Sequence, residues 1–66
     1  MKTPVIDVNR ATQKALEALP LIGPLRASRI IAFRNAHGWF GSLDDLDRVP
    51  GIGKGIVRRI RPYLTV

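Results

Sequence analysis

The chain has 66 residues, with eleven Lys and Arg against five Asp and Glu, one His and no Cys, giving a net charge of +6 and a pI near 11.3. A chain this short supports one small core, and without cysteine neither disulfides nor thiolate-held zinc can reinforce it. No stretch approaches the ~20 apolar residues a bilayer span needs, and residues 1–9 lack the apolar centre of a secretion signal.

Residues 3–9, with Pro4 and the alternating Val5, Ile6 and Val8, read as an extended lead-in. Thr12 is placed to cap a first short helix reaching about Leu19, with Ala15, Leu16 and Leu19 on its apolar face. Ala15 stands where a capping-box acid would, so this cap is one-sided. Pro20 to Gly23 form a turn, and Pro24 suits the first position of a second helix, where its missing N–H costs nothing. That helix is predicted to run over 24–37 and to stop at Gly38, with Ala27, Ile30 and Ile31 facing the core and Phe33 extending that face. Arg26 and Arg29, three apart, project together from another side. Trp39-Phe40-Gly41 is the connector, and Ser42 with Asp45 predicts a capping box opening a third short helix that carries Leu43 and Leu46. Pro50 to Gly53 form a second turn. A fourth helix with Ile56, Val57 and Ile60 ends at Pro62, leaving the apolar tail Tyr63-Leu64-Thr65-Val66 to pack beside the lead-in. The expected fold is all-α: two helical hairpins, at about 12–37 and 42–61, facing each other around a shared core in one domain spanning residues 1–66.

The two turns belong to an internal repeat. Leu16-Glu17-Ala18-Leu19-Pro20-Leu21-Ile22-Gly23-Pro24 returns as Leu46-Asp47-Arg48-Val49-Pro50-Gly51-Ile52-Gly53-Lys54 at a fixed offset of 30 residues, Pro20 to Pro50 and Gly23 to Gly53. Each turn opens onto a basic run, Arg26, Arg29 and Arg34 after the first and Lys54, Arg58, Arg59 and Arg61 after the second. The acids lie elsewhere, at Asp7, Glu17, Asp44, Asp45 and Asp47. In the second turn Gly51 can take a positive φ, Ile52 can anchor the turn to the core, and Gly53 carries no side chain to block the backbone amides. Lys54 adds charge at the mouth. Two anion-accepting turns on a basic chain point to a phosphate polymer, that is, to nucleic acid.

Rival chemistries find less support. His37 has no ligand spacing around it and is better placed to favour a helix C-terminus. Trp39 belongs to no aromatic series of the kind single-strand binders use, and reads as packing or surface cover. Asp44, Asp45 and Asp47 suggest a metal-dependent nuclease only if they converge. Asp45 is read as a cap instead, and spacing turns Asp44 and Asp47 to solvent. There is no Ser/His/Asp or Cys/His set and no phosphate loop ending in Lys-Ser or Lys-Thr. The expectation is a protein that is not an enzyme and calls for no cofactor.

As a set, the motifs Ile6-Asp7-Val8-Asn9-x-Ala11, Leu16-x-x-Leu19-Pro20-x-Ile22-Gly23-Pro24, Ala27-x-x-Ile30-Ile31-x-x-Arg34, Gly38-x-Phe40-x-Ser42-Leu43-x-Asp45-Leu46, Val49-Pro50-Gly51-Ile52-Gly53 and Tyr63-Leu64-Thr65-Val66 cover nearly the whole chain. The set resembles a tandem helix-hairpin-helix domain, and more narrowly the DNA-binding domain of ComEA-type competence proteins. The resemblance implies a compact pseudo-twofold four-helix domain (SAM-like) that binds double-stranded DNA without sequence preference, serving as a receptor for DNA uptake in natural transformation. The implied donors are the backbone amides of Ile22, Gly23, Gly51, Ile52 and Gly53, holding phosphates on either side of the minor groove. Arg26, Arg29, Lys54, Arg58 and Arg59 supply the electrostatic attraction. It also implies partners among other DNA-uptake proteins, an extracytoplasmic location, and room for a monovalent cation on the hairpin carbonyls. Leu21 departs from the pattern, which has Gly there. If that position needs a positive φ, Leu is costly and the first turn must differ from the second; alternatively Leu21 contacts the sugar edge in the groove. The rival roles are a protein-interaction module and a DNA-repair accessory domain on the same fold.

Overall fold

A computed structural model describes residues 5–66; positions 3 and 4 of the predicted lead-in lie outside them. The elements run β1 (Ile6–Asp7), α1 (Gln13–Glu17), α2 (Gly23–His37), a 3₁₀ segment (Leu43–Arg48), α3 (Lys54–Ile60), a 3₁₀ turn (Arg61–Tyr63) and β2 (Leu64–Thr65). The fold is all-α but for the short strand pair.

The repeat becomes the core. Five pairs separated by 30 residues, Leu16/Leu46, Leu19/Val49, Ile22/Ile52, Ala27/Val57 and Ile30/Ile60, are all buried in one cluster with Val8, Phe40 and Leu64. Neither copy could enclose such a cluster alone, because a single short hairpin has one apolar stripe and nothing to cover it. Ile31, Phe33, Leu43 and Ile56 pack around its edge.

Lead-in and tail close the molecule as the apolar pattern suggests. β1 and β2 pair in parallel, Ile6 opposite Leu64 and Asp7 opposite Thr65. The Val8 N–H extends the ladder, donating to the Thr65 carbonyl at 2.9 Å. The Ile6-Asp7-Val8-Asn9-x-Ala11 motif then takes on a physical meaning. Buried Asn9 pairs with the backbone of Phe40 in both directions, its Nδ2 donating to the Phe40 carbonyl (3.0 Å) and its Oδ1 accepting from the Phe40 N–H (2.7 Å). The Asp7 carboxylate accepts from the Asn9 N–H at 2.9 Å. From α2, Arg34 Nη1 donates to the Val8 carbonyl (3.0 Å) and the Ala11 carbonyl (2.8 Å). Arg34 is thus a brace for the lead-in.

Thr12 caps α1 as expected, its hydroxyl accepting from the Ala15 N–H at 3.2 Å, and Gly38 ends α2 with φ 86° and its N–H on the Arg34 carbonyl at 2.8 Å. Four boundaries differ from the prediction. α1 stops at Glu17, and Ala18 and Leu19 instead close short i−3 turns on Ala15 and Leu16. The third helix is 3₁₀, a form suited to a six-residue piece held between a cap and the following Pro50. Ser42 caps that piece through the Asp44 N–H at 3.1 Å, and among the described residues Asp45 sends no hydrogen bond back to the Ser42 amide, so there is no capping box. α3 ends at Ile60, two residues before Pro62, which is absorbed into the 3₁₀ turn where a missing N–H is tolerated.

Asn9→Ala leaves the buried amide and carbonyl of Phe40 without partners, and is expected to lower stability by about 2–4 kcal/mol in a denaturant titration.

Candidate nucleic-acid interface

The two turns share their first half. Leu21 and Gly51 are equivalent under the 30-residue offset, and both take positive φ, 67° and 88°. Ile22 and Ile52 follow, each only 3% exposed, and plug their turns into the core. Their N–H groups close the turns onto the Leu19 carbonyl (3.3 Å) and the Val49 carbonyl (3.0 Å). Leu21 therefore accepts the left-handed conformation that the turn demands, at the cost an L-side chain incurs there. The backbones diverge at the next glycine. Gly23 has φ 63°, whereas Gly53 is ordinary extended backbone (φ −97°, ψ 177°) capping α3.

Of the five backbone amides the resemblance points to, those of Ile22 and Ile52 are thus occupied inside the protein. Gly23, Gly51 and Gly53 present N–H groups that have no acceptor among the described residues. A side chain built at Gly23 or Gly53 would meet nothing within 4 Å, so the space in front of these amides is open.

The predicted cations divide into two sets. Arg26 and Arg29 do project together from α2, but they turn onto the hairpins. Arg26 Nε donates to the Gly51 carbonyl (2.8 Å) and its Nη1 to the Leu21 carbonyl (3.1 Å), while Arg29 Nη1 reaches the Pro50 carbonyl at 3.4 Å. Lys54, Arg58 and Arg59 are exposed on α3, and none forms an ion pair among the described residues. Lys54 and Arg58 line a groove with Asp44, Asp47, Val57 and Arg61, in which Arg61 pairs with Asp44. Sequence reasoning missed the inward turn of Arg26 and Arg29 because their acceptors lie 25 and 21 residues away.

The same bonds bear on a monovalent cation. The carbonyls of Leu21, Pro50 and Gly51 are already served by guanidinium groups, so these three do not fit a bound metal ion. Among the described residues no three of His, Asp and Glu come together as a metal site. His37 stacks beside Phe33, ring centroids 4.3 Å apart, at the end of α2. Trp39 is 68% exposed with the Arg10 guanidinium 5.5 Å from its ring, while its neighbour Phe40 takes the buried place.

The equivalent turn positions should respond oppositely to substitution. Leu21→Gly relieves the strained φ of a half-exposed residue, and is expected to add about 0.5–1 kcal/mol and raise the melting temperature by roughly 3–6 °C. Gly51→Ala imposes that strain, and its Cβ lies 2.7 Å from Arg29 Nη1, which must swing away. It should cost about 1–2 kcal/mol by the same melt.

Comparison with known proteins places these turns in a lineage. A family model described as "Helix-hairpin-helix motif" matches residues 2–65. The chain is 34% identical over 65 residues to ComE operon protein 1 of Bacillus subtilis (strain 168), covering 98% of this chain and 32% of that protein. It is 37% identical over 59 residues to Endonuclease/exonuclease/phosphatase family domain-containing protein 1 of Homo sapiens, covering 89% of this chain and 10% of that protein, and the Mus musculus protein of the same name is 36% identical over the same length. The chain therefore spans about a third of the first relative and a tenth of the others. With two equivalent turns between helices and a family match from end to end, the chain belongs to the helix-hairpin-helix family.

Proposed function

We propose that this chain is a non-enzymatic module that binds double-stranded DNA without sequence preference, gripping backbone phosphates with the amides of its two turns. Gly53 is the observation that carries the reading. Its φ is one any residue adopts and its surroundings are empty, so neither conformation nor packing inside the chain calls for glycine there. A close approach from outside the chain does call for it, and the unpaired N–H of Gly53 faces that approach. Gly23 and Gly51 supply further free amides, and Lys54, Arg58 and Arg59 on α3 supply the cations that attract a polyanion. Contacts of this kind position a protein on the phosphate backbone and read no bases, hence the absence of sequence preference.

The similarity to ComE operon protein 1 supports a role in DNA uptake, with this chain as the segment that receives DNA and other uptake proteins as its partners. A protein-interaction role is the second reading, and one observation favours it. Leu21 and Leu25 are 48% and 61% exposed beside the first turn, where they would suit an apolar partner as well as the sugar edge of a groove.

Anisotropy of a labelled duplex across a salt series separates the two. Neutralising about four phosphates gives a slope of log K against log salt of roughly −3 to −4. Gly53→Glu, confirmed folded by circular dichroism, should abolish binding, because it sets a bulky negative charge before the free amide. Leu21→Glu should weaken binding if the first turn also grips DNA. A native chain with no duplex binding at low salt sinks the reading and favours the protein partner.

A further inference from the structure

We propose that Arg26 is a positioning residue, a staple that holds the two turns at the separation needed to meet one duplex together; the proposal deepens the DNA-binding reading and rests on it. Leu21 and Gly51 occupy the same place in the two copies, and a single guanidinium bonds the carbonyls of both, at 3.1 and 2.8 Å. A group that bonds the same atom of two copies sits close to the axis relating them, where there is room for one such group. The repeat bears this out: the counterpart of Arg26 is Ile56, a half-buried side chain packed on the core. The copies have therefore diverged at this position, one supplying the staple and the other apolar cover.

Beyond the core, the chain offers few links between the turn tips. The described hydrogen bonds that cross from the first hairpin to the second turn are those of Arg26 and Arg29, and the Arg29 bond is long at 3.4 Å. The planar fork of arginine can serve two diverging carbonyls at once, and an ammonium group on a flexible stem holds no such geometry. The guanidinium also sets positive charge against carbonyl oxygens that would otherwise turn partial negative charge towards an approaching phosphate. Its donors directed at the carbonyls are unavailable to DNA, so Arg26 acts through the turns it holds.

The test separates holding from contact. Arg26→Lys keeps the charge and loses the fork, and Arg26→Gln loses both. As a staple, Arg26 requires that both variants bind duplex about tenfold more weakly with the salt slope of the native chain, while the control Arg58→Gln flattens that slope by about 0.9. Full binding by Arg26→Lys together with a flattened slope for Arg26→Gln would make Arg26 a phosphate contact and overturn the proposal. A second measurement needs no DNA. In the free protein the Arg26 Nε–H should exchange with solvent more slowly than that of Arg58, and Arg26→Lys should shift the amide resonances of both turns. An Nε–H that exchanges as fast as that of Arg58 overturns the staple whatever the chain binds. A protected Nε–H in a chain that binds no duplex upholds the staple and sinks the DNA-binding reading instead.

Discussion

Everything in this molecule depends on the burial of one short apolar set against its own repeat. Leu16, Leu19, Ile22, Ala27 and Ile30 meet Leu46, Val49, Ile52, Val57 and Ile60, and each set is the other's shelter from water. Full burial of a Leu or Ile side chain contributes about 1.5–3 kcal/mol, and α1, the 3₁₀ segment and α3 are too short to persist without it. Because Ile22 and Ile52 lie inside that set, the core also fixes the turns. An element whose tip is plugged into a close-packed interior has little freedom to drift.

On that symmetric base the two copies have been assigned unequal work. Leu21 faces Gly51, Leu25 faces Gly55, and Arg26 faces Ile56. The first copy carries exposed apolar groups, a strained turn residue and the inward arginines. The second carries unstrained glycine and outward-facing cations on α3. The half that resembles the family pattern in full is thus the half with free charge and open amides, and the half that departs from it holds the two together.

Arginine serves two physically different ends here. Arg34 braces the lead-in through the Val8 and Ala11 carbonyls, and Arg26 bridges the two turns, each using a fixed planar fork on backbone oxygens. Arg58 and Arg59 are left to solvent and to whatever anion approaches. Net charge counts all of these alike, so a formal +6 overstates the charge that is free to meet a polyanion.

Most of the fold was legible in the sequence because the signals that carry it are local or repeated. The offset of 30 residues located both turns, apolar spacing marked the core faces, and Thr12, Pro24 and Gly38 set helix ends by short-range geometry. The free amides at Gly23, Gly51 and Gly53 were legible for the same reason, since a turn is written in consecutive residues. Tertiary structure alone decided where Arg26 and Arg29 point, that Asn9 pairs with Phe40, that Leu21 keeps a positive φ, and that the third helix winds as 3₁₀. Those outcomes depend on which distant carbonyl or amide a side chain finds once the core has closed, and that is a matter of three-dimensional distance that no spacing along the chain records.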